Sequence, residues 1–178
     1  MANAAPVLGE WSTFYTMMGS SVAALTGLMF IVITLIAGEE RLSKNPDGIS
    51  AFSTPTVIHF ATVLLVSAIM LVPWHIIVCS ATALGVIGLC GLIYVSRVAV
   101  RAARLLEYRA DMEDWMWYCV LPFVAYASML AGASMVATGN ANGFFVVAGA
   151  AVLLTFIGIR NAWDVVTFLA MGGPKADT

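Results

Sequence analysis

The feature that most constrains this chain is an almost unbroken apolar stretch of about 50 residues, from Ala51 to Val100. As a single helix it would be ~75 Å long, whereas the hydrocarbon core of a bilayer is ~30 Å thick. The one interruption is Pro73-Trp74-His75, and proline lacks the N–H that would continue a helix. The stretch therefore predicts two membrane spans, at about residues 52–72 and 76–96, joined by a tight turn.

Three further apolar segments have the length of a membrane span. They lie at about residues 11–37, 117–138 and 144–169, and a Gly139–Gly143 turn separates the last two. Hydrophobic residues make up 61% of the 178-residue chain and charged residues only 10%, whereas soluble domains are about 25% charged. We therefore expect an all-α polytopic membrane protein, a single domain over residues 1–178 with a five-transmembrane-helix bundle.

The positive charges predict how the spans are oriented. Every Lys and Arg falls after the first span, between the third and fourth spans, or near the C-terminus, at Arg41, Lys44, Arg97, Arg101, Arg104, Arg109, Arg160 and Lys175. Cytoplasmic segments of membrane proteins carry an excess of these residues. The N-terminus is therefore expected outside and the C-terminus in the cytoplasm, with a cytoplasmic helical extension of the third helix at about residues 97–115.

Small residues recur in the first span at Gly19, Ala23 and Gly27, four positions apart. Side chains at this spacing share one helix face and let two helix backbones approach closely. The pattern predicts a helix-packing face. Its partner is either another helix of the same protomer or a second subunit.

His59 is an ionisable residue about two turns into the second span, a position that is costly in a membrane and often functional. It fits a neutral histidine bonded to a neighbouring helix, a pore-lining or proton-relay residue, or a haem ligand. The haem interpretation is weak because the other histidine, His75, lies ~24 Å further along the helix direction, so one protomer cannot hold a haem between them. No cofactor is predicted.

Arg160, Asn161 and Asp164 form a polar group at the end of the fifth span. They fit either an interfacial anchor, in which Arg160 reaches the headgroups, or a buried polar cluster. The predicted spans place His59 and these residues at a similar depth. We therefore expect His59, Arg160 and Asp164 to converge on a polar vestibule, which His59 would make sensitive to pH near neutrality.

His75 and Cys79 are only a weak candidate for a metal site, because such a site needs three or four converging ligands. The cysteines Cys79, Cys90 and Cys119 form no Cys-x-x-Cys pair, and the five predicted spans hold no carboxylate before Asp164. No metal is predicted and an enzyme is not expected. The net charge of −2 and the lack of a basic tract argue against nucleic acid as a partner.

Two segments, Ala23-Ala24-Leu25-Thr26-Gly27-Leu28-Met29-Phe30 and Arg160-Asn161-Ala162-Trp163-Asp164, resemble uncharacterised small multi-pass inner-membrane proteins of bacteria. The resemblance implies a multi-pass protein of the bacterial inner membrane. It brings no activity and no site residues.

These features predict a homo-oligomeric channel or pore-like assembly for ions or small solutes, in which each small subunit supplies one sector of the path. The packing motif and the intramembrane polar residues both favour self-association. The alternative is an accessory or regulatory subunit that binds and stabilises a larger membrane complex. The expected partners are the lipid bilayer and further copies of the chain or, under the alternative, another membrane protein.

Overall fold

The computed structural model describes residues 4–37, 46–104 and 112–170. Its regular elements are all helical, which confirms the all-α fold. They are α1 (Ala4–Ala37), α2 (Pro46–Leu71), α3 (Ile77–Arg104), α4 (Met112–Trp115), a π-helical turn (Met116–Val120), α5 (Leu121–Ala137) and α6 (Asn142–Ala170).

Four stretches of the described chain are long and apolar enough to cross a membrane: Val7–Val32, Ile77–Val100, Met116–Ala137 and Asn142–Asp164. A shorter apolar segment, Pro55–Leu71, belongs to α2. A helix needs about 20 predominantly apolar residues to span the hydrocarbon core. By length and composition, the chain is therefore a helical membrane protein.

The helices pack side by side, with α6 against both α5 and α2, α1 against α2, and α3 against α5. Trp11 near the start of α1 contacts Phe145 at the start of α6, with ring centroids 4.8 Å apart. The N-terminal ends of α1 and α6 therefore lie together, at what we call the Trp11 end of the bundle. Gly19 of α1 lies against Ser67 late in α2, and Gly158 late in α6 lies against Phe60, seven residues earlier in α2, so α2 runs antiparallel to both. The opposite end, where α6 carries Arg160, is the Arg160 end.

Glycines let α5 approach its two neighbours at backbone distance. A Cβ atom on Gly88 of α3 would lie 2.9 Å from the backbone nitrogen of Leu130, and one on Gly132 would lie 2.8 Å from the carbonyl oxygen of Gly143. Lipid is as apolar as the helices themselves, so close packing of this kind is a main source of helix association in a bilayer. It holds α3, α5 and α6 together.

A tight turn joins α5 to α6 at the Trp11 end. Gly139 has φ +85°, in the left-handed region that favours glycine. The backbone N–H of Asn140 donates to Met135 O at 2.9 Å, and the side-chain Oδ1 of Asn140 accepts from the N–H of Asn142 at 3.0 Å. These bonds close the end of α5 and begin α6 within four residues.

Candidate functional site

His59 lies in the core between α2 and α5, with 1% of its surface exposed. Its Nδ1 atom is 3.0 Å from the Oη atom of Tyr126 on α5. The same hydroxyl is 3.2 Å from Oγ1 of Thr62, which in turn donates to the carbonyl oxygen of Ile58 at 2.8 Å. His59, Tyr126 and Thr62, which we call the His59 cluster, tie α2 to α5 across the interior.

The donors and acceptors of the His59 cluster can be matched in two ways. Thr62 has one hydroxyl hydrogen, and it is directed to the carbonyl oxygen of Ile58. Toward Tyr126, the Thr62 oxygen can therefore only accept a hydrogen bond. If Tyr126 donates to Thr62, then Nδ1 of His59 donates to Tyr126. If Tyr126 donates to Nδ1, then that nitrogen carries no hydrogen. Both arrangements give the buried hydroxyl of Tyr126 a partner, and exchange between them requires the hydroxyl to rotate and His59 to change its tautomer.

Two glycines make room for the rings beside this cluster. A Cβ atom on Gly91 of α3 would run into the ring of Tyr126. A Cβ atom on Gly158 of α6 would lie 2.8 Å from Cδ1 of Phe60, the residue that follows His59. Both rings are fully buried. The cluster is therefore positioned by helix packing on either side and not by its hydrogen bonds alone.

Arg160 and Asp164 form an ion pair on one face of α6, with side chains 33% and 36% exposed. The guanidinium of Arg160 also lies over the indole of Trp117, 5.9 Å from the ring centroid, which is within reach of a cation–π contact. Because Trp117 belongs to the π-helical turn before α5, this contact links α6 to that turn. Trp163, one residue before Asp164, is 67% exposed.

Asn161 lies ~100° further around α6 than Arg160 and is 0% exposed. Neither its amide nitrogen nor its amide oxygen has a hydrogen-bond partner among the described residues. The buried hydroxyls of Tyr15, Thr56 and Ser67 likewise lack a hydrogen-bond partner among the described residues.

The residues of the predicted vestibule therefore occupy different environments. His59 is bonded to Tyr126 in the core, whereas Arg160 is bonded to Asp164 on a partly exposed face. Neither bond joins the two sets. Asn161 is the member of the C-terminal group that points into the bundle.

The predicted packing face of α1 is divided by the fold. Gly19 lies against Ser67, where an added Cβ atom would be 3.2 Å from the serine Cβ. Ala23 and Gly27 are exposed, and nothing lies within 4 Å of a Cβ atom added to Gly27. The packing of α1 within the protomer uses Gly19 and a neighbouring face that carries Tyr15, Val22 and Met29.

The weak metal candidates lie where the chain enters α3. His75 and Cys79 are both exposed. Over the described parts of the chain, no group of three or more His, Cys, Asp or Glu side chains could hold a metal ion.

Sequence reasoning missed Tyr126, Thr62 and Thr56. A signal for Tyr126 was available, because a tyrosine in the middle of an apolar span needs a partner for its hydroxyl. His59 was the strongest polar candidate on another helix. Thr62 and Thr56 gave no comparable signal, because a threonine in a helix can bond to its own backbone, as Thr26 and Thr155 do here.

Comparison with models of known protein families, with curated proteins and with solved structures finds no match. The proposed function is therefore based on the structure of the chain itself.

Proposed function

We propose that this chain is a subunit of a homo-oligomeric channel or pore for ions or small solutes in the inner membrane of a bacterium. Each protomer crosses the membrane five times, with its N-terminus outside and its C-terminus in the cytoplasm. The observation that carries the proposal is the surface of α1.

The five-span topology is supported by the depth at which α2 packs. α2 lies against α1 at Ser67, near the Trp11 end, and against α6 at Phe60, nearer the Arg160 end. It has 26 residues, which corresponds to ~39 Å of helix. Arg160 of α6 and the C-terminal end of α3 lie at the end of the bundle away from Trp11, the end that the positive-inside rule assigns to the cytoplasm.

The interior of one protomer is filled with large side chains, which leaves the space between protomers for a conducting path. The largest fully buried side chains include Phe60, Met129, Leu154 and Ile157. They lie on α2, α5 and α6, the helices at the centre of the bundle. A path along the bundle axis would have to displace this core.

One face of α1 has the composition expected for such a path. We call it the α1 seam, and its residues are separated alternately by three and four positions: Thr13, Thr16, Ser20, Ala23, Gly27, Phe30 and Thr34. All seven are exposed. Alternating spacings of three and four place residues along the contact line of two helices that cross at a shallow angle. Ala23 and Gly27 suit close contact between copies, and the hydroxyls suit a narrow polar lining.

The other exposed faces differ from the α1 seam. The exposed side chains of α3, α5 and α6 include Val86, Leu89, Phe123, Phe145 and Phe156. These are large apolar groups that suit contact with lipid. Among α1, α3, α5 and α6, α1 therefore offers the longest exposed run of small and hydroxyl side chains for a path between copies.

The decisive experiment measures ion flux and oligomer mass for the purified full-length protein in liposomes and in detergent. Gly27→Leu should reduce both the ion flux and the oligomer mass, because the bulky side chain separates the copies. The association constant of the copies should fall at least tenfold. Gly149→Leu is the matched control, since Gly149 is an equally open glycine of α6 with nothing within 4 Å of an added Cβ atom.

Equal oligomer mass and flux in Gly27→Leu, Gly149→Leu and the unmodified protein would show that the α1 seam neither joins the copies nor lines the path, and would remove the observation on which the proposal rests. If the unmodified protein is monomeric and conducts nothing, the α1 seam is free to bind a helix of a different membrane protein. The accessory-subunit alternative would then be the better proposal.

A further inference from the structure

Two buried polar side chains toward the Arg160 end lack hydrogen-bond partners among the described residues. Asn161 of α6 and Thr56 of α2 are each 0% exposed. The amide nitrogen and oxygen of Asn161 and the hydroxyl of Thr56 are all unpartnered. Bare polar groups are costly in an apolar interior, and more so in a bilayer, where bulk water cannot reach them. A polar ligand is therefore expected at this position.

The two side chains lie at the same level of the bundle. The ring of Phe60 packs against Gly158, and side chains incline toward the N-terminal end of their own helix. Gly158 is therefore level with the turn of α2 that precedes Phe60. Since α2 and α6 are antiparallel, Asn161 (three residues after Gly158) and Thr56 (four residues before Phe60) are both displaced toward the Arg160 end. The displacements are ~4.5 and ~6 Å, so the two groups lie within about one turn of each other.

Pro55 adds a third polar group at this level. It lies inside α2 and has no N–H, so the carbonyl of Ala51 lacks its helical donor. In membrane helices, a carbonyl released in this way is satisfied by a neighbouring side chain or by ordered water. Pro55 itself is buried, so bulk solvent does not reach this side of α2.

We propose that Asn161, Thr56 and the carbonyl of Ala51, which has lost its helical N–H donor at Pro55, form a binding site for water, which bridges α2 to α6. The carboxamide of Asn161 has two N–H donors and one acceptor oxygen, the hydroxyl of Thr56 donates and accepts, and the carbonyl accepts. Water can satisfy this mixed set because it also donates and accepts. A cation would leave the N–H donors bare. The bridge holds the proline-containing turn of α2 against α6, and it does not depend on the proposed channel.

The test is a double-mutant cycle on the full-length protein in detergent, with Asn161→Leu, Thr56→Val and the double variant followed by thermal unfolding. Each single change should lower Tm by roughly 3–8 °C, because it leaves the other group and the water without a partner. The Tm of the double variant should be no lower than that of the less stable single variant, since the two groups share one ligand. Thr155→Val is the matched control, because the Thr155 hydroxyl already donates to Ala151 O at 2.9 Å. Its effect should add to that of Asn161→Leu.

Three outcomes would overturn the proposal. One is strictly additive Tm changes for Asn161→Leu and Thr56→Val. Another is a higher Tm in Asn161→Leu, which would mean that the amide is simply a bare polar group. The third is a Tm of the unmodified protein that rises in NaCl or KCl but not in choline chloride, which would assign the site to a cation. If the variants fail to fold, a structure of the unmodified protein that resolves solvent decides the question. Density within hydrogen-bond distance of both side chains supports the bridge, and a dry contact refutes it.

Discussion

Gly91 of α3 lies directly against the ring of Tyr126, at the place where that tyrosine reaches across the bundle to bond His59. The bond between α2 and α5 therefore depends on a residue of a third helix that has no side chain. Any atom added at Gly91 competes with the ring for the same space.

Gly91→Ala should destabilise the protein by about 1–3 kcal/mol, because the ring of Tyr126 must move away from His59. Gly85→Ala on the same helix is the control. Its added Cβ atom would lie 3.8 Å from the Ala133 Cβ, an ordinary contact, so this variant should be neutral or slightly stabilising. Unfolding in detergent measures both. Equal stability of the two variants would show that Tyr126 adjusts without cost.

Tyr126→Phe should cost about 1–2 kcal/mol, because it removes the partner of His59 Nδ1 and leaves a buried nitrogen bare. Thr82→Val is a suitable control, since Thr82 is exposed and bonds to the carbonyl of Val78 on its own helix. That change should cost less than about 0.5 kcal/mol. The same unfolding measurement compares them, and a Tyr126→Phe variant as stable as the control would contradict a structural role for the His59 cluster.

Asp164→Asn should change the stability of the isolated protomer by no more than about 1 kcal/mol. The Arg160–Asp164 pair is about one third exposed, and ion pairs of this kind contribute little. The comparison is made in monomer-forming detergent and again in liposomes. A loss well above 1 kcal/mol in liposomes alone would mean that assembly encloses the pair.

The proposed topology predicts the location of the C-terminus. A C-terminal reporter that works only in the periplasm should be inactive, and one that works only in the cytoplasm should be active, because the Lys and Arg residues favour the cytoplasmic side. The same reporters placed before Met1 should give the opposite result. A periplasmic signal from the C-terminus would refute the five-span orientation.

The sequence was sufficient to predict the helical membrane fold, because a long apolar stretch has few stable alternatives in a bilayer. The turn near Pro73 could also be predicted, since proline has a local effect on the backbone that needs no tertiary information. The actual ends of α2 and α3, Leu71 and Ile77, leave this turn between them.

The partners of the polar residues could not be predicted in the same way. Nothing local in the sequence places His59 beside Tyr126, 67 positions away, because that contact depends on which helices are neighbours. The spacing of Arg160 and Asp164 did predict a shared face, since helical geometry alone determines it. The side that Asn161 faces followed only from the packing of α6.

The π-helical turn at Met116–Val120 has a consequence for the lengths that this part of the chain can tolerate. A π-turn bonds residues five apart, where an α-helix bonds residues four apart, so it accommodates one additional residue. Each residue turns a helix by ~100°. The π-turn absorbs that rotation, because its additional residue is taken up within a single wider turn. Deleting one residue here would therefore restore a regular α-helix and leave Trp115 and α5 in nearly the same relative orientation. A single-codon deletion in this turn should be accepted far more readily than one within α5, which would turn the two ends of that helix relative to each other by ~100°.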